Sequence, residues 1–335
     1  MAENEQIVVE DFSVGPASEL VVNTISGSVD IQGRDQHAIH MGATKRGSAQ
    51  AVANTRVEYQ QSGNRVQVQT KGEKGGLLNL ARNISAVDYI LTVPRDCRVR
   101  VETVSAEVRT RDLDHGVRIQ TVSGEVTVKN VSGESQVTTV SGDATAQNVS
   151  GTLSLRTTSG DASVRGSQLS HFNLNSVSGD FAIETPLDVG QHYLARTVSG
   201  DLQLRLPSNS GATVQMRTVS GNVSSEIPAD ILRAGKRNWQ GRINGGGATL
   251  EMNSVSGDLR ILRSNGSSST IASTSAQTGS FFPPAQGQES ADLPGVVPEP
   301  AAAAVDSALS STSEVLQALE RGDISVEEAL DRLNR

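Results

Sequence analysis

Three sets of residues in this 335-residue chain have types and spacings that could do chemistry. The first is a recurring Thr-Val-Ser-Gly, at Thr121–Gly124, Thr139–Gly142, Thr197–Gly200 and Thr218–Gly221. Close variants stand at Thr24–Gly27, Thr103–Ala106, Thr157–Gly160, Ser176–Gly179 and Ser254–Gly257. Most copies are followed by an acid: Glu125, Asp143, Asp161, Asp180, Asp201 and Asp258, interrupted by Asn222. If the motif Val faces inward, Thr-x-Ser-x-Asp faces outward. The exposed ladder is then Thr121, Ser123, Thr139, Ser141, Asp143, Asp161, Asp180, Thr197, Ser199 and Asp201. Carboxylates one strand spacing apart repel, so either a cation lies between them or each accepts a hydrogen bond from its own turn. The second reading is favoured, because Gly-Asp is ordinary turn chemistry and the Gly-Gly-x-Gly-x-Asp array of calcium-binding repeats is missing. A rank of hydroxyls could order water or meet glycans, but it is also what any exposed strand face displays, since Thr has high β-propensity.

The second set is a basic loop, Arg233, Lys236, Arg237 and Arg242 beside Trp239, with no acid between Asp230 and Glu251. A solvated loop with a docked Trp is favoured over a binding loop. The third set is thin. His37, His40, His115, His171 and His192 are scattered without ligand or triad spacing, and Cys97 is the sole cysteine. That excludes an intrachain disulfide and a Cys-rich metal site. Parallel β-helix lyases show that a solenoid does not by itself exclude catalysis. Here most coils are too short to grow the long loops that wall an active-site cleft. No catalytic residue, metal or cofactor is expected, and the chain reads as a non-enzyme.

The elements that position these residues follow from the repeat. The fourth motif position falls at 106, 124, 142, 160, 179, 200, 221 and 257, in steps of 18, 18, 18, 19, 21, 21 and 36. Asn130-Val-Ser-Gly133 and Asn148-Val-Ser-Gly151 sit nine residues after the preceding marker, so each unit has two similar halves. Pro186, Pro207 and Pro228 mark a corner in the longer coils, and the final step is long enough to hide one degenerate coil. Only 3% of residues are aromatic against 36% hydrophobic, which predicts a thin core of Val, Leu, Ile and Ala. Counting in twos from the motif Val predicts inward rows such as Val177, Gly179, Phe181 and Ile183. The fold class is therefore all-β: a parallel β-solenoid of about eight to nine coils of 18–21 residues.

Four segments are expected. Residues 1–95 are an N-terminal coil and capping region, with a hairpin at Arg56–Thr70 protecting an open strand edge. Residues 96–263 are the regular solenoid. Residues 264–312 contain no Lys or Arg and half of the ten prolines, a composition that predicts a disordered linker. Residues 313–335 predict a helical hairpin: Val315, Leu316 and Leu319 share one face, Gly322 ends the first helix, and Ser325 with Glu328 forms a capping box. Ile324, Ala329, Leu330 and Leu333 complete an apolar seam too small to be stable alone. Its expected partner is another copy of itself, the solenoid or another protein, with self-association favoured.

A net charge of −8 argues against nucleic acid. The acidic start lacks a signal peptide's features and no stretch approaches a membrane span. A cytoplasmic location is expected, peripheral to the membrane at most; export by a non-Sec route would make it extracellular.

On these residues the chain resembles a known bacterial family. The Ser-Gly-Asp repeats, the Pro corner and the hairpin before Pro94 resemble the bacterial "putative adhesin" domain of unknown function, over roughly residues 20 to 262. The tail from Leu316 to Leu330 resembles a short helical motif often attached to it. The resemblance implies a role in sensing or buffering cell-envelope stress, with the helical motif mediating oligomerisation or docking, and it carries over no catalytic residue. The expected function is a non-enzymatic scaffold. The alternative is a surface adhesin that binds glycans or another envelope component through the Thr/Ser/Asp face.

Overall fold

The computed structural model describes residues 4–72, 84–235 and 237–264. The expected linker and helical hairpin, and with them Val315, Leu316, Leu319, Ile324, Ala329, Leu330 and Leu333, lie outside the described residues, as does Lys236.

The described chain is an all-β solenoid in which each Ser-Gly corner joins two walls of parallel strands. The first wall holds strands entering the corner: Arg65–Gly72, the first halves of Glu19–Arg34 and Arg98–Leu113, Val117–Ser123, the second half of Val126–Ser141, Ser150–Ser159, Gln168–Ser178, His192–Ser199, Ala248–Ser256 and Ala212–Arg217. The second wall holds those leaving it: Ala86–Pro94, the second halves of Glu19–Arg34 and Arg98–Leu113, the first half of Val126–Ser141, Ala144–Gln147, Ala162–Arg165, Phe181–Glu184, Leu202–Leu206, Leu259–Arg263 and Val223–Ser225. Between the walls lies a core of Val, Leu, Ile and Ala, as the aromatic-poor composition predicts. Its largest side chains are Tyr89, Tyr193 and Phe172. Both phenols are satisfied: Tyr89 bonds the Thr70 hydroxyl at 2.6 Å, and Tyr193 donates to Leu169 O at 2.9 Å.

The corner glycines fix the order of the layers. A Cβ on Gly142, Gly160, Gly179 or Gly200 would lie 2.2–2.4 Å from the carbonyl oxygen of the corner glycine one layer before it. Backbone therefore packs on backbone, and most of these corners also take a positive φ, such as +140° at Gly179. Only glycine meets both demands. Followed through such contacts, the layers run Val87, Gly27, Ala106, Gly124, Gly142, Gly160, Gly179, Gly200, Gly257, Gly221.

That order corrects the expectation for the final 36-residue step. It hides no degenerate coil. The chain skips a layer after Gly200, builds the Gly221 layer, and runs out through the antiparallel strands Ala229–Ala234 and Asn238–Ile243. It then returns so that Ala248–Ser256 and Leu259–Arg263 slot between the two layers already laid down. The N-terminal end is interleaved likewise, because the Val87 layer lies outside the earlier Gly27 layer.

The facing of the motif is also corrected. Thr121, Thr139 and Thr197 are buried, whereas Val177, Val198, Val219 and Val255 are exposed. Glycine at the corner breaks the two-residue alternation, so Thr121 and Val126 both point inward although they are five apart. A one-residue offset turns every side chain of a strand to the other face. The opposite corner shows why the half-motif begins with Asn: Asp112, Asn130 and Asn148 take φ of 61°, 52° and 54°. Asn tolerates that left-handed region better than most residues. The side chains stack, Asn130 Nδ2 donating to Asp112 Oδ1 at 2.9 Å and Asn148 Nδ2 to Asn130 Oδ1 at 3.0 Å.

Candidate functional site

The acidic column turns out to be a hydrogen-bond ladder between layers. From Asp143 onward the carboxylates accept from the next layer's backbone and not from their own turn: Asp143 Oδ1 from the Asp161 N–H at 2.9 Å, Asp161 from Asp180, Asp180 from Asp201, and Asp201 from Asp258, each at 2.8 Å. Asp258 accepts from the Asn222 N–H at 2.8 Å, so Asn222 ends the column and does not interrupt it. The spare charge is partly met by Arg260, 3.4 Å from Asp201 and 3.9 Å from Asp258. Among the described residues no group of His, Cys, Asp and Glu is arranged to hold a metal ion.

The hydroxyl ladder is split between inside and outside. Ser141 and Ser199 are exposed and Ser123 half-exposed, as expected. Burial of Thr121, Thr139 and Thr197 removes them from the surface face. Thr121 Oγ1 donates to Ser123 O at 3.1 Å, while the buried hydroxyls of Thr103, Thr139, Thr157, Ser176 and Thr197 have no partner among the described residues. The corner thus displays a row of Val and Ser.

A different face carries the polar side chains that could meet a ligand. On the outside of the first wall, register aligns Gln67, Val21, Arg100, Arg118, Gln136, Ser154 and Asn173 across successive layers. Arg100 stands directly beside Arg118. Like charges so placed destabilise a sheet. Arg100 is neutralised by Glu102, whose Oε1 accepts from Arg100 Nε at 2.7 Å. Arg118 and Arg98 have no side-chain partner among the described residues.

These arginines line an open notch of about 440 Å³ together with Glu19, His115, Gly116, Glu134 and Gln136. Gly116 lies in its wall with φ +76°, and a Cβ there would come 1.8 Å from Glu134 O, so the backbones of two layers pack directly on each other at this point. The notch was not read from the sequence. Its signal was Arg98-x-Arg100 with Arg118 one 18-residue repeat later and His115-Gly116 beside it.

Of the basic loop, Arg233 lies on Ala229–Ala234, Trp239 and Arg242 lie on Asn238–Ile243, and Arg237 is exposed in the turn between. The docked Trp is as expected: Trp239 is half-buried against the core, its ring over Gly241, where a Cβ would come within 2.3 Å of it. Two of the histidines, His171 and His192, meet on adjacent strands. His40 Nδ1 lies 2.5 Å from Asp11 Oδ1, His171 bonds the His192 carbonyl, and His192 is 3.8 Å from Glu251. Cys97 is buried, and burial pushes its thiol up to about 11, which makes it a poor nucleophile. No helix of the described residues is long and apolar enough to cross a membrane.

Residues 17–280 match the Toastrack DUF4097 family. No curated protein matches the chain. Among solved structures it is similar to a "putative adhesin" from Bacteroides fragilis, at 14% identity over 77% of this chain and 97% of that one, with a TM-score of 0.47. A "putative lipid binding protein" from Parabacteroides distasonis aligns at 11% identity, over 76% and 96%, with a TM-score of 0.42. A "putative adhesin" from the same organism aligns at 11% identity, over 77% and 97%, with a TM-score of 0.41. The family match covers well over half of the sequence and takes in both interleaved ends, so the chain belongs to the Toastrack DUF4097 family.

Proposed function

We propose that this chain is a non-catalytic binding scaffold that holds an acidic polymer of the cell envelope along the outer face of its first wall. One observation carries the reading: the side chains of Arg98 and Arg118, without partners among the described residues, line the notch beside the register-aligned polar row that runs from Arg100 to Asn173. A repeating strand face suits a repeating ligand, and the cations select an anionic one. The role fits envelope-stress sensing or buffering, with residues 313–335 gathering copies through their apolar seam.

The test is binding of an acidic polysaccharide, polygalacturonate, against neutral dextran. The wild-type chain binds the first and not the second, and the Arg98→Gln, Arg118→Gln double variant loses about tenfold in affinity. Equal binding by wild type and variant removes the notch from the reading. Deleting residues 264–335 lowers the mass measured by light scattering if the tail gathers copies; an unchanged mass assigns assembly elsewhere.

The second reading, a surface adhesin, uses the same face on a glycan outside the cell. Protease treatment of intact cells separates the two: digestion before lysis favours the adhesin, and protection until lysis favours the internal scaffold.

A further inference from the structure

The C-terminal end of the stack bears a surface that the polymer-binding reading does not use. Ala229–Ala234 is the last strand there and, among the described residues, pairs on one edge only. Its register shifts between Ile231, opposite Gly241, and Arg233, opposite Gln240, which makes Leu232 the extra residue of a bulge. Both apolar neighbours are open to solvent, Ile231 at 62% and Leu232 at 49%. Val219 of the adjoining layer is 61% exposed and lines a recess of about 350 Å³ with Met216, Val223, Asn238 and Trp239. Arg233 follows them on the strand and Arg237 stands at the turn of the hairpin, while Arg242 lies farther along, opposite Asp230 and against Gly246; all three arginines are exposed and none is in an ion pair among the described residues. From residue 231 to residue 250 there is no acid at all, in a chain whose net charge is −8.

We infer that this end of the stack docks on an anionic lipid bilayer, Ile231 and Leu232 entering the boundary between headgroups and acyl chains while Arg233 and Arg237 meet lipid phosphates. Apolar groups at a tip with cations around them match a surface that is anionic outside and apolar beneath. Trp239, half-buried beside them, is the residue type that settles at such a boundary. A second copy is a poorer occupant. End-to-end contact would oppose two cationic hairpins, and the bulge at Leu232 disrupts the edge that strand pairing needs.

The experiment is flotation of the full chain with vesicles of phosphatidylcholine alone or enriched in phosphatidylglycerol. The chain is expected to float with the phosphatidylglycerol vesicles only, less so as salt rises. The Ile231→Ser, Leu232→Ser variant and the Arg233→Gln, Arg237→Gln variant should each bind at least about tenfold more weakly. All four positions are exposed, so an unchanged melting transition shows that the fold is intact. No flotation, or undiminished flotation by either variant, overturns the proposal. So does a fall in assembly mass by light scattering in the Ile231→Ser, Leu232→Ser variant, which would make a second copy the occupant. Loss of binding in inorganic phosphate at matched ionic strength would likewise reassign the arginines to a free anion.

Discussion

At its N-terminal end the chain leaves the Gly27 layer, runs to the edge through Ala38–Gly47 and Thr55–Ser62, returns to fill the Val87 layer, and passes Gly27 again to start the Ala106 layer. At its C-terminal end it passes over one layer, runs to the edge, and comes back to fill the place it left. The route is the same and the finish is not. The first end is plugged: Phe12, Val14 and Val52 are buried, Phe12 meets Tyr59 edge-on at 5.7 Å, and the helix Ala49–Asn54 is capped by Ser48. The second end is covered more thinly, by buried Ile227 and Ile243 with Trp239 half-buried against the core, and Ile231 and Leu232 stand in solvent. A solenoid needs polar or covered end layers to stay soluble. Interleaving therefore secures the strands at an end, while a separate apolar plug is what hides the core.

If interleaving ties both ends to the middle, a clash at either should unfold the whole stack. Gly27→Ala and Gly257→Ala each set a Cβ 2.1 Å from a backbone carbonyl oxygen. Each is expected to cost about 3 kcal/mol or more, in one denaturant transition. A separate early transition in Gly257→Ala alone would show that the C-terminal end is only loosely attached. The plug is tested next. Phe12→Ala should cost about 3 kcal/mol, whereas Ile231→Ser should stay within about 0.5 kcal/mol. Comparable losses from the two would mean that the ends are finished alike after all.

A third difference is expected at alkaline pH. Burial holds the Cys97 thiol at about 11 instead of 9.0 and the Tyr89 phenol at about 12 instead of 10.0, and both lie near the N-terminal end. The folded state keeps protons that the unfolded chain releases, so this stability is complete below pH 9.0 and is lost as pH climbs through the folded values. The Cys97 contribution is on the order of 2 kcal/mol. Thermal melts from pH 8 to 11 should fall, and Cys97→Ala should flatten the first part of the fall; a parallel fall in that variant would point to other groups. A smaller effect is expected from the acidic ladder between the two ends. Asp180→Ala removes the acceptor of the Asp201 N–H and should cost about 1 kcal/mol. Millimolar calcium should not move the melt of the wild-type chain, since the ladder carboxylates already accept from backbone; a stabilising shift would restore the cation reading of the column.

The stacking was legible because its cause is periodic. Glycine recurs at most of the corners where one layer meets the next, Val87 and Ala106 being the exceptions, and the spacing of Gly124, Gly142 and Gly160 records that close packing directly. Facing was lost at the same glycines. A positive φ at Gly124 resets the alternation that links Thr121 to Val126, so counting straight through the corner gave the motif Thr to the surface and the motif Val to the core. The final layer was misplaced because a 36-residue interval suits a weak repeat as well as an outward-and-return excursion, and only strand register separates them. The notch escaped for a related reason. Arg98, Arg118 and Glu134 become neighbours through pairing between layers, and Gly116 is conspicuous only once Glu134 O is known to lie beneath it.

The interleaved ends also constrain how such a protein can evolve in length. From Ala106 to Gly200 the layers follow one another in sequence order, so duplicating or deleting one repeat there inserts or removes one layer and leaves every other neighbour unchanged. At Gly221 and Gly257 the gene order and the spatial order disagree, and a single-repeat duplication would send a returning strand to a place already filled. The ends behave as inherited fixtures, and natural variation in repeat number should fall between them. Residues 259–263 are also the last of the stack to leave the ribosome, yet they fill an interior position. A chain shortened by that one strand would lack an inner rung of the second wall and leave Leu202–Leu206 and Val223–Ser225 facing a gap.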